Sequence, residues 1–272
     1  DMLKVLHIRR KKTIYFSVEN LFKNVRKNIN NIIISLKISS RPSSGFINRI
    51  INIMEILNLK FDVNHVLGDI HYLSIFLNKK NTILTVLDCI TLHQLKGLKY
   101  YIIFFFWYYF PVRRLNHITV ISSFVRDELV SFTNCNPNKI SVIHCCISDS
   151  FFNSVKKSTF NKQCPTILVI GTTPNKNLNR IVKSLKNINC KLIIVGNLNE
   201  TNKNFLTKKS ISYENLFNLS EKELINTYLS SDILLFASLY EGFGLPIIEA
   251  NALGIPVITS NITSMPEISA DA

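Results

Sequence analysis

Short apolar runs alternate along the chain with longer stretches whose apolar residues recur at helical spacing. In the first half the runs Leu3–Ile8, Asn31–Leu36, Asp62–Val66, Thr82–Leu87, Ile118–Ile121 and Ile140–Ile143 predict strands. Between them Ser17–Asn28, Phe46–Leu57, Ile70–Leu77, Lys99–Phe110 and Phe124–Phe132 have the length and period of helices. The second half restarts the rhythm: strand Thr166–Ile170, helix Asn177–Lys186, strand Lys191–Val195, helix Glu200–Lys208, a helix ending near Leu229, strand Asp232–Phe236 and strand Ile255–Thr259. Ser220 and Glu223 have the spacing of a capping box at the start of the helix that ends near Leu229. Strands alternating with helices predict parallel sheets with crossover helices, so the fold class expected is α/β with two Rossmann-like, doubly wound domains. The polar stretch Asn153–Cys164, closed by Pro165, reads as a linker and sets the domains at 1–155 and 156–272.

A chain of 272 residues with 47% hydrophobic content has the material for two cores. Its 32 basic and 18 acidic residues leave a formal charge of +14, which favours phosphates, acidic lipid surfaces or nucleic acid as partners. Compositional bias toward Lys, Asn and Ile accounts for the same number equally well. No interleaved aromatic and basic motif points to nucleic acid, and none is expected as a partner. The six cysteines, at 89, 135, 145, 146, 164 and 190, show no metal-ligand spacing and read as free thiols in a reducing, cytoplasmic compartment. The strongest apolar run, Leu98–Phe110, is too short to cross a bilayer. Lys96, Lys99, Arg113 and Arg114 flank it, which leaves a buried helix of the first domain or an interfacial helix at an anionic inner membrane face.

The chemistry concentrates in Ser238–Ser260. There Glu241 and Glu249 stand eight positions apart around a glycine turn, Gly242 to Gly244, that opens a helix with Pro246 in its first turn. The amides of Gly244 and Leu245 at the positive end of that helix form an anion site. An anion flanked by two carboxylates that can meet hydroxyl groups describes a nucleotide sugar. Upstream, Gly171-Thr-Thr-Pro-Asn-Lys-Asn-Leu178 follows a strand and opens a helix, placing Lys176 where charge builds on a departing diphosphate.

The segment Glu241 to Ser260 resembles the Glu-x7-Glu signature of family 4 retaining glycosyltransferases, which have two Rossmann-like domains facing across a cleft (the GT-B arrangement). The resemblance covers almost the whole chain and is strongest over Thr166–Glu267. It implies a hexosyl transfer, with retention, from a nucleoside-diphosphate sugar to a glycan or lipid-linked acceptor, a mannose-type donor being slightly favoured. It implies that Glu241 approaches the donor sugar and Glu249 holds the ribose. Gly171, Thr172, Lys176, Gly244 and Leu245 would hold the diphosphate. No Asp-x-Asp pair follows a strand, so neither a metal nor any other cofactor is expected.

In the first domain Asp88, His71, Arg9 and Arg10 follow strands and are the acceptor-side candidates, with Asp88 counted among the catalytic groups beside Glu241 and Lys176. The chain departs from the family pattern in four places. Thr172 stands where many members have Arg, and Leu87 where they have a histidine that contacts the sugar. A glycine pair is absent after the first strand, and His144–Asp149 replaces a Pro-Asn-x-Val-Asp motif. Relatives continue beyond residue 272, so the second domain reads as incomplete. These departures keep open a degenerate homologue that binds nucleotide sugar or a partner without turnover.

Overall fold

The computed structural model describes residues 2–11, 17–154, 160–208 and 212–270. The chain divides into two compact units, Asp1–Cys146 and Ile147–Ala272. The boundary expected at 155/156, like Lys12 of the basic run after the first strand, lies outside the described residues.

The first unit carries a six-stranded sheet, all its pairings parallel, in the order β2-β1-β3-β4-β5-β6. Its elements begin β1 (Lys4–Arg9), α1 (Ser17–Lys27), β2 (Ile33–Ile38), α2 (Phe46–Leu57), β3 (Val63–Leu67) and β4 (Thr82–Val86). They continue with α3 (Ile90–Gln94), α4 (Gly97–Ile103), α5 (Phe110–Arg114), β5 (His117–Val120), α6 (Ser123–Thr133) and β6 (Ile140–Val142). Central strands of a parallel sheet are covered on both faces and read as nearly continuous apolar runs, as β1 and β4 do. Ser122 caps α6 by accepting from the Val125 amide at 3.2 Å, and Asn134 ends it in a left-handed conformation. Expected helix Ile70–Leu77 forms instead as a 3-10 segment, His71–Phe76, whose first four residues are buried.

The aromatic run corrects the expectation of a buried helix. Between α4 and α5 the residues Phe104–Tyr109 form a turn of π-helix, and Trp107 and Tyr108 enter the core. Leu98 is 75% exposed and Phe106 and Phe110 are nearly half exposed. A segment apolar on every side that packs on one face must leave the others in solvent. Among the described residues no helix is long and apolar enough to cross a membrane.

The second unit has a five-stranded sheet, also with parallel pairings, in the order β11-β10-β7-β8-β9. Its elements are β7 (Thr166–Ile170), α7 (Leu178–Ser184), β8 (Lys191–Val195), α8 (Glu200–Lys208), β9 (Tyr213–Leu216) and α9 (Glu221–Leu229). After them come β10 (Ile233–Phe236), α10 (Leu245–Ala252), β11 (Val257–Thr259) and α11 (Met265–Ser269). The capping box forms as the spacing predicts: Ser220 Oγ accepts from the Glu223 amide, and the Glu223 carboxylate accepts from the Ser220 amide at 2.7 Å. Strand β9 has no apolar run in sequence. Asn215 holds it in place, its amide donating to the Ile194 and Gly196 carbonyls at 3.0 and 2.8 Å. The expected α/β class with two Rossmann-like units is what the chain adopts.

Candidate functional site

Numbered from β7, the second sheet runs third, second, first, fourth, fifth, so the order in which strands are added reverses between the parallel neighbours β7 and β10. Open α/β sheets bind ligands beyond the carboxyl ends of the strands at such a switch point. The two loops singled out in the sequence leave these two strands. They are laced together by their own polar groups. The Leu239 amide donates to the Asn175 carbonyl at 2.7 Å, the Asn175 side chain donates to the Tyr240 carbonyl at 3.1 Å, and Asn177 donates to the Ala237 carbonyl at 3.0 Å. Asn177 does this from a left-handed conformation, φ 60°. Neither asparagine was singled out from sequence. The signal available was only that both flank Lys176 in a strand-to-helix loop.

The loop after β10 is pinned from its far side as well. The Glu241 amide donates to Thr263 Oγ1 at 3.3 Å, and the buried Ser264 hydroxyl donates to the Phe243 carbonyl at 2.7 Å. Gly244 then turns the chain into α10 with φ 114°, a region disfavoured for side chains, and a Cβ there would lie 3.1 Å from Ile247 Cδ1. Gly242 has no positive φ, so the freedom expected of both glycines is used at Gly244 alone.

Lys176 crosses back over Gly171. A Cβ on Gly171, whose φ is 93°, would stand 2.7 Å from Lys176 Cε, so glycine there is what lets the lysine lie down. Its ammonium reaches Glu241, with Nζ 2.7 Å from Oε1, and sits 4.6 Å from the centre of the Phe236 ring. Lys176 and Glu241 side chains are 18% and 13% exposed. Glu249 lies one turn into α10 and accepts a hydrogen bond from the Tyr228 hydroxyl of α9 at 2.7 Å. Tyr228 is fully buried and its phenol is pushed well above its usual value by burial and by the Glu249 charge. Burial pushes Glu249 up to about 7, against the pull of the Tyr228 hydrogen bond and of Lys176. Thr172 turns its hydroxyl to the Asn197 carbonyl at 2.7 Å, with Gly196 packed against its methyl. The structure thus gathers Gly171, Lys176 and Glu241 in contact, and sets Gly244, Leu245 and Glu249 on the adjoining helix start.

The first-unit candidates fall in two places: Asp88 and His71 both border Tyr108, whose hydroxyl donates to the Asp88 carbonyl at 3.3 Å, and Arg9 and Arg10 stand at the end of β1. Asp88 accepts from the Ile90 amide at 3.1 Å where α3 begins. His71 is 4% exposed, with Nδ1 2.8 Å from the Trp107 carbonyl and its ring edge-on to Tyr108. Burial lowers its pKa, opposed by Asp69 and by that hydrogen bond, so it is a neutral ring whose Nδ1–H donates to Trp107. Leu87 occupies the loop after β4 and is half-buried. Arg9 ends β1 and Arg10 follows it, both lining a narrow pocket.

A switch-point lysine, an acidic partner and a glycine-headed helix together make a place where an anion could be held. Residues 150–272, nearly all of the second unit, match the family model described as glycosyl transferases group 1. The chain is similar to the O-antigen chain mannosyltransferase RfbU of Salmonella typhimurium (strain LT2), 30% identical over 154 residues. That match takes in 52% of the chain and 41% of RfbU, so the chain spans about two fifths of this curated relative. Among solved structures it is similar to Anabaena Alr3699/HepE in complex with UDP-glucose, with a TM-score of 0.74 and 11% identity over 97% of the chain and 82% of that one. A second is WaaG, a glycosyltransferase involved in lipopolysaccharide biosynthesis, with a TM-score of 0.71 and 12% identity over 98% and 84%. At such identities the likeness establishes the fold.

Proposed function

We propose that the protein is a retaining hexosyltransferase. It moves a sugar from a nucleoside diphosphate to a hydroxyl of a glycan or lipid-linked acceptor. The observation that carries this reading is the meeting of Lys176 with Glu241 at the second unit's switch point, beside the glycine-headed start of α10. As the bond from the anomeric carbon to the diphosphate oxygen lengthens, negative charge collects on that oxygen. Lys176 and the amides of Gly244 and Leu245 stabilise it, with Gly171 and Thr172 shaping the floor. Because a lysine supplies the positive charge, the reading requires no metal or other cofactor. Glu249 accepts from the ribose hydroxyls, and Glu241 orients the donor sugar. Asp88, Arg9 and Arg10 serve the acceptor side on the first unit, whereas His71, buried and bonded to the Trp107 carbonyl, is held away from a ligand. The likeness to RfbU, a mannosyltransferase, and to HepE, whose structure holds UDP-glucose, supports a nucleotide-sugar donor.

A thermal-shift screen of UDP-, GDP- and ADP-sugars tests the reading. One of them should stabilise the chain, and Lys176→Ala and Glu249→Ala should abolish the response. Parental binding by both variants would remove the assignment. Leu87 and the burial of His71 favour a second reading, a homologue that binds donor without turnover. Transfer restored by Leu87→His in a chain that binds but does not turn over would establish it.

The exposed Leu98, Tyr101, Phe106 and Phe110, with Lys96, Lys99 and Arg113 close in sequence, support peripheral contact of the first unit with an anionic membrane. Co-sedimentation with phosphatidylglycerol vesicles but not phosphatidylcholine vesicles is the expected result, lost on Phe106→Ser with Phe110→Ser.

A further inference from the structure

The first unit has its own switch point, and it is charged. In the order β2-β1-β3-β4-β5-β6 the order of strand addition reverses between the parallel neighbours β1 and β3, again the place where such sheets take ligands. The narrow pocket there is bounded by Arg9 and Arg10 at the end of β1 and Gly68 just after β3. From α1 it receives Glu19, Phe22 and Arg26, spaced three and four apart on one helical face. Three arginines and one glutamate thus border it.

That carboxylate does not satisfy them. Glu19 Oε1 stands 3.8 Å from Arg9 Nη1, beyond hydrogen-bond length, while the buried Arg9 Nε and Glu19 Oε2 have no hydrogen-bond partner among the described residues. Arg26 Nη1 lies 3.3 Å from His7 Nδ1, but burial and Arg26 itself hold His7 at about 4, so the ring is neutral and adds no negative charge. Arg26 is in turn lowered by burial and by the charge of Arg9, which places the two cations within each other's field. Unbalanced positive charge with an unused, buried donor calls for an outside anion. Planar guanidinium forks match the oxygens of a phosphoryl group.

We propose that this pocket binds a phosphoryl oxyanion, held by Arg9, Arg10 and Arg26. Resting on the transferase reading above, the group belongs to the acceptor, which is therefore a phosphorylated sugar or a lipid diphosphate.

The test is calorimetric titration of inorganic pyrophosphate into the full chain at low salt, in a Lys176→Ala background that removes the second unit's lysine. Binding should survive in that background and weaken at least tenfold when Arg26→Gln is added. Arg10→Gln, at a half-exposed position, should weaken it as well and guards against an Arg26 variant that fails to fold. Pyrophosphate binding that is indifferent to both arginine variants overturns the proposal. In the chain with Lys176 intact, Arg26→Gln should leave nucleoside-diphosphate affinity unchanged. Arginine-dependent pyrophosphate binding in a chain that binds no nucleotide would sink the donor-site reading and leave this pocket standing. A hexose 1-phosphate and a short prenyl diphosphate then distinguish the sources. Arginine-dependent binding of either supports the site and names its ligand, and binding of neither overturns the assignment to the acceptor.

Discussion

The pairing of Lys176 with Glu241 makes a prediction opposite in sign to the usual loss on mutating a site. With Nζ 2.7 Å from Oε1, the lysine that should receive the diphosphate is already occupied. A phosphate must therefore draw the ammonium away from Glu241 before it gains anything. When the ligand is a nucleotide sugar, the freed carboxylate finds sugar hydroxyls in exchange. A bare nucleoside diphosphate offers it nothing. Glu241→Gln keeps the shape and removes the competing charge. The pair is about one-sixth exposed on each side, between the surface limit of under 1 kcal/mol and the buried limit of several. Releasing the lysine should then be worth about 1–2 kcal/mol, a factor of roughly 5–30 in affinity. Calorimetry should show the variant binding nucleoside diphosphate tighter by that factor, while transfer from the nucleotide sugar falls. The difference should shrink at high salt, because a partly exposed charge pair is screened. If Lys176→Ala weakens nucleoside diphosphate and Glu241→Gln leaves it unchanged, the two groups do not compete and the argument is wrong.

Other substitutions follow from the same geometry. Gly171→Ala would drive a methyl into Lys176 Cε at a φ of 93°, so nucleotide affinity should drop about tenfold and thermal unfolding should register a loss of about 1–3 kcal/mol. Ser220→Ala removes the capping box of α9 and should destabilise the second unit by about 1 kcal/mol in urea unfolding, with little effect on nucleotide binding. Glu249 is raised in the fold above its unfolded value of 4.5, to about 7, so its contribution to stability is fully present below pH 4.5 and is lost as pH rises through 7. Glu249→Gln should therefore be more stable than the parent at pH 8, by about 1–3 kcal/mol, and indistinguishable from it at pH 4 by thermal unfolding.

Most strands and helices were legible because buried parallel strands write unbroken apolar runs and their crossover helices write a helical period. Thr166–Ile170, Lys191–Val195 and Phe46–Leu57 were read to the residue. Strand β9 was not, because an edge strand fastened by Asn215 to its neighbour's carbonyls has no need of an apolar run. The aromatic segment was half legible: its apolarity was plain, but which aromatics face inward depends on the π turn at Phe104–Tyr109, and no residue pattern announces that. In the site, the glycine, lysine and acidic positions were visible from spacing. Tyr228 was not, since a tyrosine at a helical core position differs in no sequence feature from one that caps a carboxylate. Arg26 escaped for a related reason, because its neighbours Arg9 and Gly68 lie at the ends of strands that only the sheet order brings together.

The two glutamates of the late loop differ in a way their shared motif conceals. Glu241 meets a cation and is tethered by backbone contacts to Thr263 and Ser264, so its charge is matched within its own site. Glu249 meets a phenol in a buried setting and sits near the point where it takes a proton at neutral pH. On the proposed reading Glu249 accepts from ribose hydroxyls, and a carboxylate in that role binds best when ionised. A ligand that supplies those donors lowers its pKa, and binding releases a proton. Donor affinity should then climb as pH rises from 6 to 8, with proton release measurable from the buffer dependence of the calorimetric enthalpy. Tyr228→Phe leaves the ring packed against Phe151 but removes the hydroxyl that favours the ionised form, so the pH midpoint should move upward. A midpoint unmoved by that single oxygen would mean that Glu249 does not govern the pH dependence, and the ribose would have to be held elsewhere.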